Sequence, residues 1–198
     1  MKKSTTRAAV VVICLLAGLV GYFAYLSNKS KVSNQETQLT AVQSTLCKNL
    51  NIDYPPTPKE VVKFYNEILK CFYNENCTEE EIRDLGLKAR ELYDDELLEQ
   101  NELETYLKRL NGEIQEYKDN KRRITSTVVA SSTSVDFFQE DGFEFARIHS
   151  AYHISEGGKN RPSDIVYLLR KDSGNRWKIY GWTSAENVTV DRKTASAE

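Results

Sequence analysis

The sequence predicts an α+β fold: an N-terminal transmembrane helix, then three helices packed on a curved antiparallel meander sheet. Three observations predict this fold. Residues 8–26 carry no charge. Apolar residues recur at intervals of three and four between residues 58 and 117, which is helical spacing. From residue 124 onward the chain is rich in β-branched and aromatic residues, interrupted by turn residues, which is typical of strands.

The apolar run predicts a membrane anchor. A helix over residues 8–26 is roughly 28 Å long, about the thickness of the hydrocarbon core of a bilayer. A cleaved signal peptide is the first alternative, but no pair of small residues closes the run at a cleavage site. A lipoprotein signal is the second, but Ile13 precedes Cys14 where such signals carry a small residue. We therefore expect an uncleaved, single-pass anchor.

The basic residues predict the orientation of this anchor. Lys2, Lys3 and Arg7 precede the run, whereas two lysines follow it, which favours an N-terminus inside and an extracytoplasmic C-terminal domain. These five are the basic residues before the first acid, so the rest of the chain holds 22 basic and 29 acidic residues. A net charge of −7 argues against nucleic acid as a partner, because such binding needs clustered Lys and Arg.

The composition divides the chain into four parts. Residues 1–27 form a cytoplasmic stub and the anchor, and residues 28–53 form a polar spacer rich in Ser, Asn and Gln. Residues 54–185 suit a single α+β domain. Residues 186–198 are polar and are predicted to be a disordered tail.

Capping signals predict where the helices begin. Thr57 precedes a proline and is followed three residues later by Glu60, so a helix begins at Pro58 and ends near residues 74–76. A second capping box at residues 78–81 begins a helix that continues through residue 92. A third helix begins after Asn101 and includes residue 117. Between the second and third helices, residues 93–100 are predicted to hold a turn or a short strand.

Four strands follow the helices. The first spans residues 124–138 and is expected to contain a bulge, and a turn at Asp141-Gly142 connects it to a second strand over residues 143–155. A longer loop spans residues 156–162. The third and fourth strands span residues 165–171 and 177–183, and the short connections predict an antiparallel meander. The helices would cover its apolar face.

This order of elements resembles the NTF2-like, cone-shaped α+β fold over roughly residues 56–184. The resemblance includes the closing strand Arg176-Trp177-Lys178-Ile179-Tyr180-Gly181-Trp182. The segment at residues 54–60, together with the anchor, also resembles an uncharacterised family of bacterial single-pass membrane-anchored proteins. The NTF2-like superfamily includes steroid isomerases, dehydratases, ligand carriers and scaffold domains of secretion machinery. The resemblance therefore implies a fold without selecting a function.

The enzymes among these relatives use an acid, a His or a Tyr that projects into the cone. His149 and His153 share a strand face with Arg147, opposite the apolar face, and lie roughly 13 Å apart, too far to ligate one metal together. The acids between residues 79 and 104 lack the spacing of an EF-hand, so a solvated face is favoured over a calcium or basic-partner patch. We therefore predict no catalytic, cofactor-binding or metal-binding residue.

Three cysteines lie beyond the anchor, at positions 47, 71 and 77. An odd number gives no disulfide framework, and the spacings match no zinc or redox motif. Small buried hydrophobic side chains are the simpler interpretation, and one disulfide among the three is the alternative.

Two functions are consistent with the sequence. The first is a non-catalytic, membrane-anchored extracytoplasmic domain that holds a protein partner or a second copy. The second is a small apolar ligand site in the cone, serving a carrier or an isomerase or dehydratase. Aromatic residues motivate it: Tyr65, Phe72, Tyr106, Tyr152, Tyr167 and Trp177.

Overall fold

The computed structural model describes residues 39–187. The predicted anchor, the first part of the spacer and nearly all of the predicted tail lie outside these residues. Within residues 39–187, no helix is both long enough and apolar enough to cross a membrane. The described residues from Thr40 onward belong to one compact unit.

The fold is α+β, with five helices before a curved antiparallel sheet. The helices are α1 (Ala41–Cys47), α2 (Pro58–Asn74), α3 (Glu79–Arg90), α4 (Asp95–Gln100) and α5 (Leu103–Asp119). The strands are β1 (Arg122–Val129), β2 (Asp136–Glu140), β3 (Phe143–Glu156), β4 (Lys159–Lys171) and β5 (Trp177–Ser184). The three predicted helices correspond to α2, α3 and α5.

Helix α1 lies within the segment assigned to the polar spacer. Thr40 caps this helix in a reciprocal capping box with Gln43, so the local signal for a helix was present in the sequence. Val42 on α1 and Leu50 just after it are almost completely buried. The folded domain therefore begins before Tyr54, because these two side chains complete the core that the longer helices leave open.

The starts of α2 and α3 follow the predicted capping signals. The Thr57 hydroxyl accepts a hydrogen bond from the Glu60 amide, and Pro58 occupies the first turn of α2. Thr78 and Glu81 form the full capping box of α3. Each cap satisfies backbone donors that have no partner inside the helix, which is why these sequence signals locate the boundaries well.

The segment between α3 and α5 holds both a short strand contact and a helix. Tyr93 forms an isolated parallel bridge with Ile179 of β5, in line with the turn or short strand predicted there. Asp94 then caps the six-residue helix α4, which the sequence analysis did not predict. The bridge attaches this segment to the edge of the sheet.

The sheet has the strand order β1-β3-β4-β5, and β2 also pairs with β3. β1 and β2 lie one after the other along the same edge of β3, because a short 3-10 helix at Ser132–Ser134 separates them. The sequence predicted one long strand with a bulge over residues 124–138. In the structure, the 3-10 helix divides this segment into two separate strands. Further register shifts occur in β1, where Thr125 has no partner, and in β5, where Tyr180 is the extra residue opposite Leu168 and Leu169, and such bulges bend a sheet.

The predicted loop over residues 156–162 is wrong, because β3 and β4 form one long hairpin there. Gly157 and Gly158 both have positive φ angles, 56° and 83°. Two such residues form the tight turn that matches strand twist. The polar residues after the turn, which suggested a loop, instead extend β4 to Lys159 as the exposed end of a hairpin.

Helix α2 crosses the inner face of the sheet and is joined to it by a buried polar contact. The Asn66 amide nitrogen donates to the Ser150 hydroxyl at 3.0 Å, and its carbonyl oxygen accepts a short hydrogen bond from the Tyr152 hydroxyl. Asn66 is 2 % exposed and Ser150 is fully buried. Around this contact lies a single apolar core contributed by the helices and the inner face of the sheet.

The three described cysteines are free thiols in different environments. Cys47 is exposed, Cys77 is half-buried and Cys71 is buried. Burial raises the pKa of the Cys77 thiol to about 11, with Glu81 adding to the effect. Burial also raises the pKa of Cys71. Cys71 and Cys77 therefore resemble the small buried side chains that the sequence analysis favoured.

We expect Asn66→Ala to lower the free energy of unfolding by about 2–3 kcal/mol, because it leaves the buried hydroxyls of Ser150 and Tyr152 without their amide partner. Urea unfolding followed by tryptophan fluorescence measures this loss. Asn111→Ala is the matched control, since the exposed Asn111 side chain bonds only to a carbonyl of its own helix. This control should change stability by less than about 0.5 kcal/mol. Equal effects of the two substitutions would contradict the structural role of Asn66.

Thiol labelling at pH 8 should modify Cys47 quickly and the other two described cysteines slowly, because the thiolate is the reactive form and burial disfavours it. Peptide mapping by mass spectrometry assigns each modified position. In urea all three should react at similar rates. Fast native labelling of Cys71 or Cys77 would contradict the packing described above.

Candidate functional site

An open cleft lies between the helices and the inner face of the sheet. Its volume is about 670 Å³, within the range of small-molecule sites in proteins. Helices α2, α4 and α5 form one side, and strands β1, β3, β4 and β5 form the other. The lining residues are Tyr65, Leu69, Tyr73, Leu97, Gln100, Asn101, Arg109, Glu113, Tyr117, Ile124, Tyr152, Ile154, Ser163, Ile165, Tyr167, Tyr180, Gly181 and Trp182.

The floor of the cleft contains a directed chain of hydrogen bonds. Tyr152 donates its only hydroxyl proton to the Asn66 carbonyl oxygen. The Tyr167 hydroxyl lies 2.6 Å from that of Tyr152 and must therefore be the donor to it. As a result, the Tyr167 oxygen has no proton left to donate and presents acceptor lone pairs to its surroundings.

A cluster of aromatic rings continues from the floor to the mouth. Trp182 packs against Tyr65, Tyr93 and Tyr167, with ring centroids 5.8, 5.9 and 6.3 Å away. The Tyr65 and Tyr93 hydroxyls are 2.9 Å apart. Burial raises the pKa of Tyr65, Tyr93 and Tyr167, so these hydroxyls remain protonated near neutral pH. Trp182 itself stays 44 % exposed at the mouth.

Charged and amide side chains form the rim opposite Trp182. Arg109 donates to the Asn101 side-chain oxygen at 2.7 Å and lies 3.9 Å from a Glu113 oxygen. The Tyr73 hydroxyl donates to the other Glu113 oxygen at 3.2 Å. The Tyr73 and Tyr117 rings stack with their centroids 4.1 Å apart. The rim is therefore a network of polar groups that already bind one another.

An ion-pair network holds α4 at the mouth. Arg170 on β4 contacts Asp94 at 2.5 Å and Glu96 at 2.6 Å, and Asp94 is only 4 % exposed. The Tyr180 hydroxyl donates to Glu96 at 2.7 Å. This hydrogen bond, followed by the Arg170 contacts, lowers the pKa of the Glu96 carboxyl. Leu97 on α4 and the adjacent Asn101 are thereby placed over the cleft.

Three of the six aromatic residues proposed for the cone line the cleft, namely Tyr65, Tyr152 and Tyr167. Phe72 and Tyr106 are instead buried in the core. Trp177 is directed to the far end of the sheet, where it lines a smaller cavity. The spacing of these residues along a helix or strand does not distinguish a core residue from a cleft residue, because both lie on the inner face of their element.

Three aromatic residues at the mouth of the cleft were not predicted as site residues from the sequence. Tyr73 and Tyr117 lie towards the C-terminal ends of α2 and α5, and Trp182 lies near the end of β5. A signal was available, since each lies on the apolar side of its element but close to its end, where fewer neighbours cover it. The closing strand was noted for its resemblance only, not as a contributor to a site.

The two histidines lie away from the cleft. His149 and His153 are exposed on the opposite face of β3, as their alternation with buried residues predicted. His153 contacts the Ser126 hydroxyl at 3.0 Å. In the part of the chain that the structure describes, no group of three or more His, Cys, Asp or Glu side chains is arranged to hold a metal ion.

A second, smaller cavity lies at the tip of the β2–β3 hairpin, with a volume of about 190 Å³. Phe137 and Trp177 line it, their ring centroids 5.7 Å apart. Phe137 is 58 % exposed, and Phe143 near the turn is 47 % exposed. The hairpin tip therefore presents aromatic surface to solvent.

A comparison with curated proteins gave no match. A protein-family model described as a domain of unknown function, DUF6715, matches residues 1–182. The matched range includes the predicted anchor, every helix described above and the cleft residues as far as Trp182. We conclude that the chain belongs to the DUF6715 family.

Proposed function

We propose that this domain binds a small molecule in the cleft between its helices and its sheet. The observation that carries the proposal is an open cleft of about 670 Å³ between the helices and the sheet, a volume in the range of small-molecule sites. Tyrosine rings from α2, β3 and β4 form its floor, so the cleft belongs to the rigid part of the fold. The cleft favours this function over a scaffold role.

The lining favours binding over catalysis. Among the described residues that line the cleft, Glu113 is the carboxylate, and it lies at the rim in contact with Arg109 and Tyr73. The Tyr167 proton is held in a hydrogen bond to Tyr152. An isomerase needs a base and a donor aimed at the substrate, and these groups already have other partners. A carrier or sensor needs neither.

The proposal also retains the anchor. The charge-free run at residues 8–26 and the basic residues before it support a single-pass protein with an N-terminus inside and an extracytoplasmic binding domain. In that arrangement the cleft would bind molecules on the outer side of the cytoplasmic membrane.

We further infer that the domain is NTF2-like. The order of long helices, a strand contact before the last helix and a bent meander sheet supports this assignment. An internal cleft between the helices and the concave face of the sheet also supports it. The inference concerns fold and carries no activity with it.

A protein-binding role is the second candidate, favoured by the exposed aromatic rings of Phe137 and Phe143, which lie on opposite faces of the β2–β3 hairpin. Large exposed aromatic side chains are enriched at protein interfaces. This surface lies on a different part of the sheet from the cleft, so the two functions can be tested separately.

Full-length protein purified from its native membrane should carry a small molecule that Ile165→Trp removes, because the larger side chain fills the cleft. Extraction followed by liquid chromatography and mass spectrometry detects the molecule. Asp164→Trp is the matched control, since Asp164 lies between two lining residues of β4 but is not among those that line the cleft. Identical extracts from the wild type and Ile165→Trp would refute the proposal.

Chemical crosslinking in the native membrane tests the second candidate. Replacing both Phe137 and Phe143 by Ser should remove a stoichiometric partner, because the exposed rings on both faces of the hairpin would be lost. Val128→Ser is the control, since Val128 is also 58 % exposed but lies on β1. A partner retained by the double variant would exclude the hairpin as its binding surface.

A further inference from the structure

The lining of the cleft has no net charge among the described residues. Arg109 and Glu113 are its two ionised side chains, and they lie 3.9 Å apart. Each has a further partner: Arg109 donates to Asn101 at 2.7 Å and Glu113 accepts from Tyr73 at 3.2 Å. A phosphate or carboxylate ligand near Arg109 would also meet the Glu113 carboxylate, and a cationic ligand near Glu113 would also meet the Arg109 guanidinium. The electrostatics therefore favour a neutral ligand.

The polar groups of the cleft both give and accept hydrogen bonds. The Tyr167 oxygen on the floor accepts, since its proton is donated to Tyr152. At the rim, the exposed side chain of Gln100 offers a carbonyl oxygen and an NH₂ group side by side. A hydrocarbon ligand at the mouth would bury the exposed Gln100 amide without a partner, which is unfavourable. A ligand with many hydroxyl groups would match it, because each hydroxyl is both donor and acceptor.

Two aromatic surfaces face this polar lining. Trp182 stands at the mouth on β5 with 44 % of its surface exposed, although its ring contacts Tyr65 and Tyr167. The stacked rings of Tyr73 and Tyr117 lie on the helical side. Rings held by such contacts lose little conformational freedom on binding. The exposed part of Trp182 provides an apolar surface for the C–H face of a saturated ring, whereas Tyr73 and Tyr117 cover each other.

We propose that the cleft binds a neutral carbohydrate, with Trp182 packing against a sugar ring and Gln100 hydrogen-bonding its hydroxyls. This inference rests on the proposed ligand-binding function and names the class of its ligand. It replaces the small apolar ligand that the aromatic composition suggested, because the rim holds an exposed amide that an apolar molecule leaves unmatched.

Full-length protein in nanodiscs is titrated with neutral oligosaccharides, namely chitotetraose, maltotetraose, cellotetraose and mannotetraose, and with the anionic sugar polymer heparin. Isothermal titration calorimetry measures the dissociation constants. We expect one neutral oligosaccharide to bind, Trp182→Ala to weaken that binding at least about tenfold, and Ile165→Trp to abolish it. Because Trp182→Ala also removes core contacts, Gln100→Ala serves as a surface variant and should weaken binding severalfold. Glu99→Ala on the same helix is its matched control and should bind like the wild type.

The outcomes separate this inference from the proposed function. If no neutral oligosaccharide binds, or if binding survives Ile165→Trp, the carbohydrate assignment is wrong. Stronger binding of heparin would also overturn it. If in that case native protein still carries an extractable molecule that Ile165→Trp removes, ligand binding in the cleft stands with another chemistry. If neither is found, both proposals fail.

Discussion

The contact between Asn66 and the sheet is the interaction on which the architecture depends. One buried amide binds Ser150 and Tyr152 on β3 at once, and through Tyr152 it reaches Tyr167 on β4. A buried polar group without partners costs about 1–3 kcal/mol, so few positions of α2 over the sheet satisfy all four side chains together. The network thereby selects one placement of the helix. It also fixes the orientation of the Tyr152 and Tyr167 side chains on the floor of the cleft.

The cleft follows from this placement combined with the bend of the sheet. Bulges in β1 and β5 and the interruption between β1 and β2 bend the sheet. The network keeps the middle of α2 close to the sheet. The cleft between them therefore opens towards the ends of α2 and β5. Tyrosine suits such a boundary, because its ring joins the apolar core while its hydroxyl satisfies a polar neighbour.

The mouth depends on a second set of contacts, centred on Arg170. Its guanidinium binds Asp94, which caps α4, and Glu96 on the first turn of that helix. A helix of six residues has little stability of its own, so this ion pair and the bridge between Tyr93 and Ile179 position it. The side chains of α4 and Asn101 then complete the polar rim. The polar rim of the cleft is thus formed by elements that are distant in the sequence.

The sequence by itself determined the parts of the fold that depend on local chemistry. Caps at Thr57 and Thr78 located α2 and α3, and alternation along β3 placed His149 and His153 on the exposed face, because these signals act over a few neighbouring residues. Only the tertiary structure decided that α1 belongs to the core, that β3 and β4 form a continuous hairpin, and that Tyr65 lines a cleft while Phe72 fills the core. An inner-face residue has the same spacing in either role. Its role depends on where bulges bend the sheet and where a buried amide holds the helix. These two features set the distance between helix and sheet, and no local sequence pattern encodes that distance.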